Sequence, residues 1–373
     1  MKFNPTYRIT AILTKKLLEI ERHKEALHIL PVTANLIASL RETARLQSTH
    51  YSTQIEGNVL TQKEVKEVVD GKKGHFPGRE RDEREVRNYF RALEFVEGHL
   101  KQETEISEEL IKQIHSLVLT GSKRKTPYRE GQNVIKDGAT GSIVYMPPEA
   151  KDVKPLMSSL IHWIQTEMNK NEIPASIIAG ITHYQFATIH PYYDGNGRTA
   201  RLLTTFILHK MGYGMKGIYS LEEYYAKNLQ GYYDALTIGN SHNYYFGRID
   251  ADITPFLDYF LDGMAISFKS VRKQAERLNE LKTKKTIPFQ TEKLRELRPQ
   301  QKQVLSLFVK SKEVSIQEIA EHLGVNSRSA YGLVKKWIDS RFVQIKNESK
   351  RARTYGLTKD WEKLIDKDID ITM

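Results

Sequence analysis

Apolar positions in the first 110 residues recur at helical spacing. Ile12, Leu13, Leu17, Leu18 and Ile20 form one run, which Pro31 ends. A second run through Leu36, Ile37, Leu40, Ala44 and Leu46 continues to Gly57. Thr61 followed by Glu64 is a capping-box signal for a short helix that stops at Gly71, and the glycine-rich, basic stretch 71–78 reads as a loop. Two more helices are expected over 80–98 and 107–120. The rhythm then breaks. Strand-like runs at 132–135 and 142–145 flank Lys136-Asp137-Gly138 and predict a β-hairpin, which Pro147-Pro148 ends. Helical spacing resumes over 152–168, 174–188, 197–210, 221–238 and 255–282; Thr254-Pro255 offers the last of these an N-cap and a first-turn proline.

Residues 283–290 read as a linker, and the chain changes character beyond it. A helix over 300–309 precedes two short helical patterns, 316–323 and 327–339, separated by Gly324-Val325-Asn326. Strand-like runs at 343–345 and 354–357 then bracket the basic segment 346–353. Helix, helix–turn–helix and basic hairpin is the order of a winged helix. The expected fold is mainly α with one small β-hairpin, in three regions: 1–110, 111–285 and 286–373.

Composition narrows the function classes. The chain has 373 residues, 39% of them hydrophobic and 28% charged, which is ordinary for a folded globular protein. No apolar run reaches the ~18–20 residues of a membrane span, and residues 1–7 lack a secretory pattern, so a cytoplasmic protein without membrane contact is expected. The absence of cysteine excludes disulfides, thiolate zinc sites and cysteine nucleophiles. The net charge of +11 suits nucleic acid or phosphate-rich ligands without choosing between them.

The chemistry concentrates in His190-Pro191-Tyr192-Tyr193-Asp194-Gly195-Asn196-Gly197-Arg198-Thr199-Ala200-Arg201. Glycines at a helix entrance leave backbone N–H groups to hold an anion. Arg198 and Arg201, three residues apart, can share a helix face and grip a di- or triphosphate. Asp194 is placed to hold a divalent cation bridging phosphates, with Mg2+ preferred because one carboxylate plus phosphate oxygens is its usual arrangement. His190, just before the turn, can act as a base beside those phosphates.

This string resembles the Fic family signature, HPFxDGNGRxxR, at every fixed position except Tyr192, where the family usually has Phe. The resemblance extends over about residues 50–265, with 132–148 similar to the family's flap and 252–263 to a following helix. It implies a Fic-type helical core and a protein adenylyltransferase that moves AMP from ATP to a Ser, Thr or Tyr hydroxyl of a protein, the chain itself included. In that role His190 is the base and Asp194 holds Mg2+. Gly195, Asn196 and Gly197 cradle the phosphates, with Thr199 and Ala200 in the same ATP-binding string. Arg198 grips a bridging or β-phosphate oxygen, and Arg201 holds the γ-phosphate. The flap residues Asn133, Val134, Ile135 and Lys136 would close over the nucleotide, and Tyr232 and Asn240 would contact adenine.

Ser52-Thr53-Gln54-Ile55-Glu56-Gly57 carries a second signal. Gly57 reads as a helix-terminating glycine, which puts Glu56 at a helix C-terminus, where the dipole disfavours a negative charge. Such a carboxylate needs a cation, and Ser52, four residues earlier, can orient it. The stretch is similar to the inhibitory [S/T]xxxE[G/N] motif found N-terminal to some Fic cores. That implies Glu56 paired with Arg201 in the γ-phosphate region, restraining transfer. Removal of AMP by the same site, with Glu56 positioning water, is an alternative; so is a nucleotide-sensing, DNA-binding regulator.

Two further readings complete the sequence. His183, on an apolar helical stretch, reads as a core histidine rather than a ligand. Residues 291–359 hold 15 Lys and Arg against 7 Asp and Glu, so this region carries most of the net charge. Arg328, Lys335 and Lys336 fall on its second short helix and Lys350, Arg351 and Arg353 near its hairpin, a layout for DNA phosphates or for protein docking. A second copy of the chain is a further candidate partner.

Overall fold

The computed structural model describes all residues except 1–2, 31, 72–74, 101–104, 137, 139, 240, 286–296, 348, 350–352 and 366–373. The chain forms two compact units, residues 1–279 and 280–373.

The first unit is helical. Its elements are α1 (Ala11–Ile29), α2 (Ala34–Ile55), α3 (Gln62–Val69), α4 (Glu80–His99) and α5 (Glu108–Thr120). Strands β1 (Ile135–Lys136) and β2 (Ile143–Tyr145) follow, then α6 (Ala150–Lys170), α7 (Ala175–Ile189), α8 (Asn196–Lys210), α9 (Glu222–Lys227), α10 (Leu229–Leu236) and α11 (Thr254–Lys285). Side-chain oxygens of Thr10, Thr33, Thr61 and Ser107 accept from the first-turn amides of α1, α2, α3 and α5, satisfying donors that a helix start leaves open. Thr61 and Glu64 make the reciprocal capping box. Helix α7 is the axis of the core, buried at every position except Ala187. Gly180 lets it meet α11 closely, since a Cβ there would stand 2.8 Å from Leu257 and 3.0 Å from Phe260. No helix among the described residues is long and apolar enough to cross a membrane.

Two elements differ from the sequence pattern. The run 221–238 is two helices rather than one, broken at Asn228 (φ −127°, ψ 52°). An asparagine side chain competes with the helix for backbone hydrogen bonds, and Gly231 leaves it room, as a Cβ there would lie 2.7 Å from the Asn228 amide. The hairpin is also shorter than expected. It pairs only Ile135 with Tyr145 and Lys136 with Ile143, across an irregular register. The residues before it are held by side chains instead: Asn133 accepts from the Val134 amide, and Gln132 donates to the Pro147 carbonyl.

The second unit contains α12 (Pro299–Lys310), β3 (Val314–Ser315), α13 (Ile316–Leu323), α14 (Ser327–Asp339), β4 (Val343–Asn347), β5 (Thr354–Leu357) and α15 (Lys359–Ile365). Helix α13 ends at Gly324 in the left-handed region, and Asn326 caps α14. The strands form an antiparallel sheet in the order β3-β5-β4. Val304, Phe308, Ile319, Val334, Trp337, Phe342, Tyr355 and Trp361 fill a core separate from that of the first unit. Strand β3 and helix α15 have no signal in the sequence pattern: two residues are too few to show a period, and α15 gains its place by packing Trp361 edge-on against Phe342.

Candidate active site

The turn between α7 and α8 is closed by its own side chains. Asn196 accepts from the Tyr192 amide at 3.0 Å and donates to the Tyr192 carbonyl at 2.8 Å. Gly195 has φ +76° at the entrance to α8, a conformation that glycine adopts without strain. The Tyr192 ring is buried and stacks on His115 at 3.5 Å, while His115 Nε2 lies 2.8 Å from the Asp194 carbonyl. The substituted aromatic is thus a core anchor.

His190 ends α7 in the left-handed region (φ 51°, ψ 60°). Its Nδ1 lies 3.3 Å from the Ala187 carbonyl, which favours the proton on Nδ1 and a free lone pair on Nε2. Burial lowers its pKa to about 4, so the imidazole is neutral at pH 7 and can accept a proton.

Arg201 is fully buried. Its Nε donates to Ser52 Oγ at 2.8 Å, and its Nη2 donates to the Ser52 carbonyl at 2.9 Å and to Glu56 Oε1 at 2.8 Å. Burial opposes the guanidinium charge, and the Glu56 carboxylate outweighs it, so the pKa ends above the ordinary arginine value. Gly57, at φ +93°, ends the helix that delivers Glu56. Gly197 makes the pair possible, since a Cβ there would fall 2.4 Å from Glu56 Oε1. Nη1 of Arg201 has no hydrogen-bond partner among the described residues.

His190, Gly197, Arg201 and Glu56 line one cleft of about 790 Å³. Asn133, Val134, Ile135 and Lys136 of the hairpin line it too, as do Tyr193, Tyr232, Tyr233, His242 and Arg248. Asp194, Gly195, Asn196, Arg198, Thr199 and Ala200 are not among its lining residues. Asp194 Oδ1 accepts from the Gly195 amide at 2.5 Å and from Arg198 Nη2 at 3.0 Å, and Arg198 Nη1 lies 3.9 Å from Glu85. Thr199 and Ala200 are buried inside α8, with the Thr199 hydroxyl on the Gly195 carbonyl, and neither reaches the cleft. Tyr232 is buried, its hydroxyl 2.8 Å from His183 Nε2, which leaves little ring face for a base to stack on. The more exposed ring is its neighbour Tyr233, which donates to the Ile55 carbonyl at 3.1 Å. Asn240 lies outside the described residues. The core reading of His183 fits its buried position between Thr204 and Tyr232.

Sequence reasoning missed His115, Arg129, Tyr193 and Arg248. His115 sits on an apolar helix face, and the others are single residues in loops, so no period or spacing marked them.

A neutral histidine, a glycine at the helix start, a buried arginine and the hairpin thus share one cleft in a mainly helical unit. Residues 105–208 match the Fic/DOC family, and the chain thus carries a Fic domain. Protein adenylyltransferase Fic of Drosophila virilis is 26% identical over 249 residues, covering 66% of this chain and 47% of that protein. The Drosophila grimshawi counterpart is 26% identical over 256 residues, with the same coverage. The chain therefore spans about half the length of the curated relatives it matches. Two solved structures share the fold. A Fic family protein from Desulfovibrio desulfuricans G20 has a TM-score of 0.58 at 23% identity, covering 96% of this chain and 99% of that one. Fic-1 from C. elegans has a TM-score of 0.56 at 24% identity, covering 74% of each.

The buried imidazoles make stability depend on pH. Burial lowers His115, His190 and His209 to about 4 and His183 to about 3. Between pH 6.5 and 4 the unfolded chain takes up protons that the folded one refuses, so stability falls as pH falls through that window. Glu64 and Asp252, both held near 2, add their loss only at lower pH. The urea midpoint of the first unit should decline from about pH 6.5 downward, above the carboxylate range; a midpoint flat between pH 7 and 5 would show that these imidazoles are not held neutral.

Proposed function

We propose that the chain is a protein adenylyltransferase that transfers AMP from ATP to a protein hydroxyl and restrains itself through Glu56. The observation that carries this reading is the cleft, which gathers His190, Gly197 and Arg201 with Glu56 on the arginine. The Drosophila relatives named as adenylyltransferases support it. An acceptor hydroxyl attacks the α-phosphorus of ATP while its proton passes to His190 Nε2. The bond from that phosphorus to the β-phosphate oxygen breaks, and pyrophosphate leaves. Transfers of this kind depend mainly on positioning and charge stabilisation. The N–H groups at the start of α8 and the Arg201 guanidinium meet the phosphates, and the hairpin borders the nucleotide. Among the described residues no cluster of three or more His, Asp or Glu could hold a metal ion. Mg2+ here would take Asp194 as its one protein carboxylate and complete its shell from phosphate oxygens and water.

With Glu56 on Arg201, the γ-phosphate loses its cation and ATP seats in a pose unfit for transfer. A second reading, removal of AMP by water, rests on Glu56 lining the same cleft as His190.

We also read residues 299–365 as a winged helix that docks on duplex DNA. Arg328, Lys335 and Lys336 of α14 are exposed, with Tyr331 and Gly332 between them, and no ion pair engages these three cations among the described residues. The hairpin contributes less than its sequence promised: Lys346 pairs with Glu362, Arg353 is half-buried, and Lys350 and Arg351 lie outside the described residues.

Three outcomes are expected. With α-labelled ATP and a cell lysate, Glu56→Gly should raise AMP transfer, and Glu56→Gly/Arg201→Ala should stay poor because it lacks the γ-phosphate grip; no gain in folded Glu56→Gly at saturating ATP would remove the case for restraint. In the Glu56→Gly background, His190→Ala should cost ~10²-fold or more in transfer while nucleotide still binds; an unchanged rate would refute His190 as the base. The full-length chain should bind random-sequence duplex DNA at low salt, and alanine at Arg328, Lys335 and Lys336 should flatten the salt dependence by about 2–3 counterions. No retention at low salt would leave protein docking as the role of this unit.

A further inference from the structure

Arg129 lies in the loop that leads into the hairpin and is almost wholly buried, at 3% exposure. A buried arginine ordinarily sits against a carboxylate. Arg129 has none: among the described residues it forms no ion pair, and the ionisable groups felt nearby are the phenols of Tyr193, Tyr145 and Tyr245. Its donors go to main-chain carbonyls instead. Nε reaches the His190 carbonyl at 3.0 Å, Nη1 the Gly131 carbonyl at 3.0 Å, and Nη2 the Pro148 carbonyl. Its own amide donates to the Pro191 carbonyl at 3.0 Å. One guanidinium therefore ties together three segments far apart in the chain: the His190-Pro191 corner, the residue where the hairpin loop begins and the residue where it ends. Gly131 is held from the other side as well, because its amide donates to the Tyr193 hydroxyl at 2.8 Å.

We propose that Arg129 is a positioning residue, whose planar fork fixes the main chain of His190 and both roots of the hairpin in one rigid frame. A guanidinium can do this because its N–H groups diverge in a fixed plane, and charge-assisted bonds to carbonyls are stronger than neutral ones. Lysine offers the charge without the fork. The frame matters at His190 because that residue holds a left-handed backbone conformation, which sets where its ring points. None of residues 194–201 has a hydrogen bond to Arg129. A phosphate grip at the start of α8 should therefore survive its loss, and nucleotide affinity should change less than kcat. The charge has a second consequence. Burial and the Arg129 cation both favour the neutral imidazole of His190, against Glu56 and Asp194, which favour the charged one.

The proposal rests on the transfer reading for its kinetic arm and not for its spectroscopic arm. In the Glu56→Gly background, Arg129→Met and Arg129→Lys should each lower kcat for AMP transfer about 10–100-fold, the scale of a small misplacement of a catalytic group. KM for ATP should stay within about threefold. NMR titration of the His190 imidazole should show its pKa rising in Arg129→Met and unchanged in Arg129→Lys. Full kcat in Arg129→Lys would overturn the fork. A folded Arg129→Met with lower thermal stability but unaltered kcat and imidazole titration would make the residue a plain structural staple and overturn the proposal. If Arg129→Met does not fold, Arg129→Lys decides the kinetics, with Tyr193→Phe as a milder release of the same hairpin root that should lower kcat in the same direction. If Glu56→Gly itself transfers no AMP, the transfer reading fails, and the imidazole titration still decides whether Arg129 acts on His190.

Discussion

The first unit is organised around a buried cation. Arg201 sits at the bottom of the cleft, and the energetics of burying a guanidinium demand hydrogen bonds and a counter-charge. Ser52 supplies two acceptors and Glu56 the carboxylate, all from the last turn of α2. That demand brings α2 against α8 and requires glycine at 197. It also explains the neutral character of the layer below, where His183, Thr204 and Tyr232 hydrogen-bond one another and burial keeps the imidazole uncharged. On the proposed function, a γ-phosphate would take the place of Glu56, because both are oxyanions presented to one arginine. On the reading proposed here, restraint and catalysis are two occupants of one electrostatic vacancy.

The surroundings of His190 in the cleft are built differently. As the proposed base it would need to be neutral and fixed, and burial provides the first property. The second comes from main-chain geometry: a left-handed residue at the end of α7, a turn closed by Asn196 and a carbonyl held by Arg129. The two buried arginines thus differ in kind. Arg201 meets a carboxylate, which the proposed function has an anionic ligand replace, whereas Arg129 meets only carbonyls among the described residues.

The second unit has its own hydrophobic core. Three of its exposed cations, Arg328, Lys335 and Lys336, lie on one helix that buries Ala330, Val334 and Trp337 on its other side, so charge and packing are segregated there by helical period. Fold alone does not choose between nucleic acid and protein as a partner, and the proposed DNA docking rests on the charge of that helix.

How much of this was legible in the sequence follows from the range of each interaction. Helix starts at Thr61 and Ser107, the glycine turn at 195–197 and the helix–turn–helix of α13 and α14 depend on contacts within four residues, and the order of residue types shows them directly. The anomalous charge of Glu56 at a helix end belongs to the same class. The partners did not. That Arg198 turns to Asp194 and Glu85, that Tyr232 faces inward to His183 while Tyr233 reaches Ile55, and that Arg129 spans three segments are contacts decided by packing between distant parts of the chain. The same holds for β3 and α15, which exist because β5 and Phe342 are there to receive them. Sequence alone determined which residues are candidates for the chemistry, because a glycine-opened helix start and its charges are local facts. Only the tertiary structure decided which of those charges reach the cleft, because burial and long-range pairing set where each side chain can leave its charge.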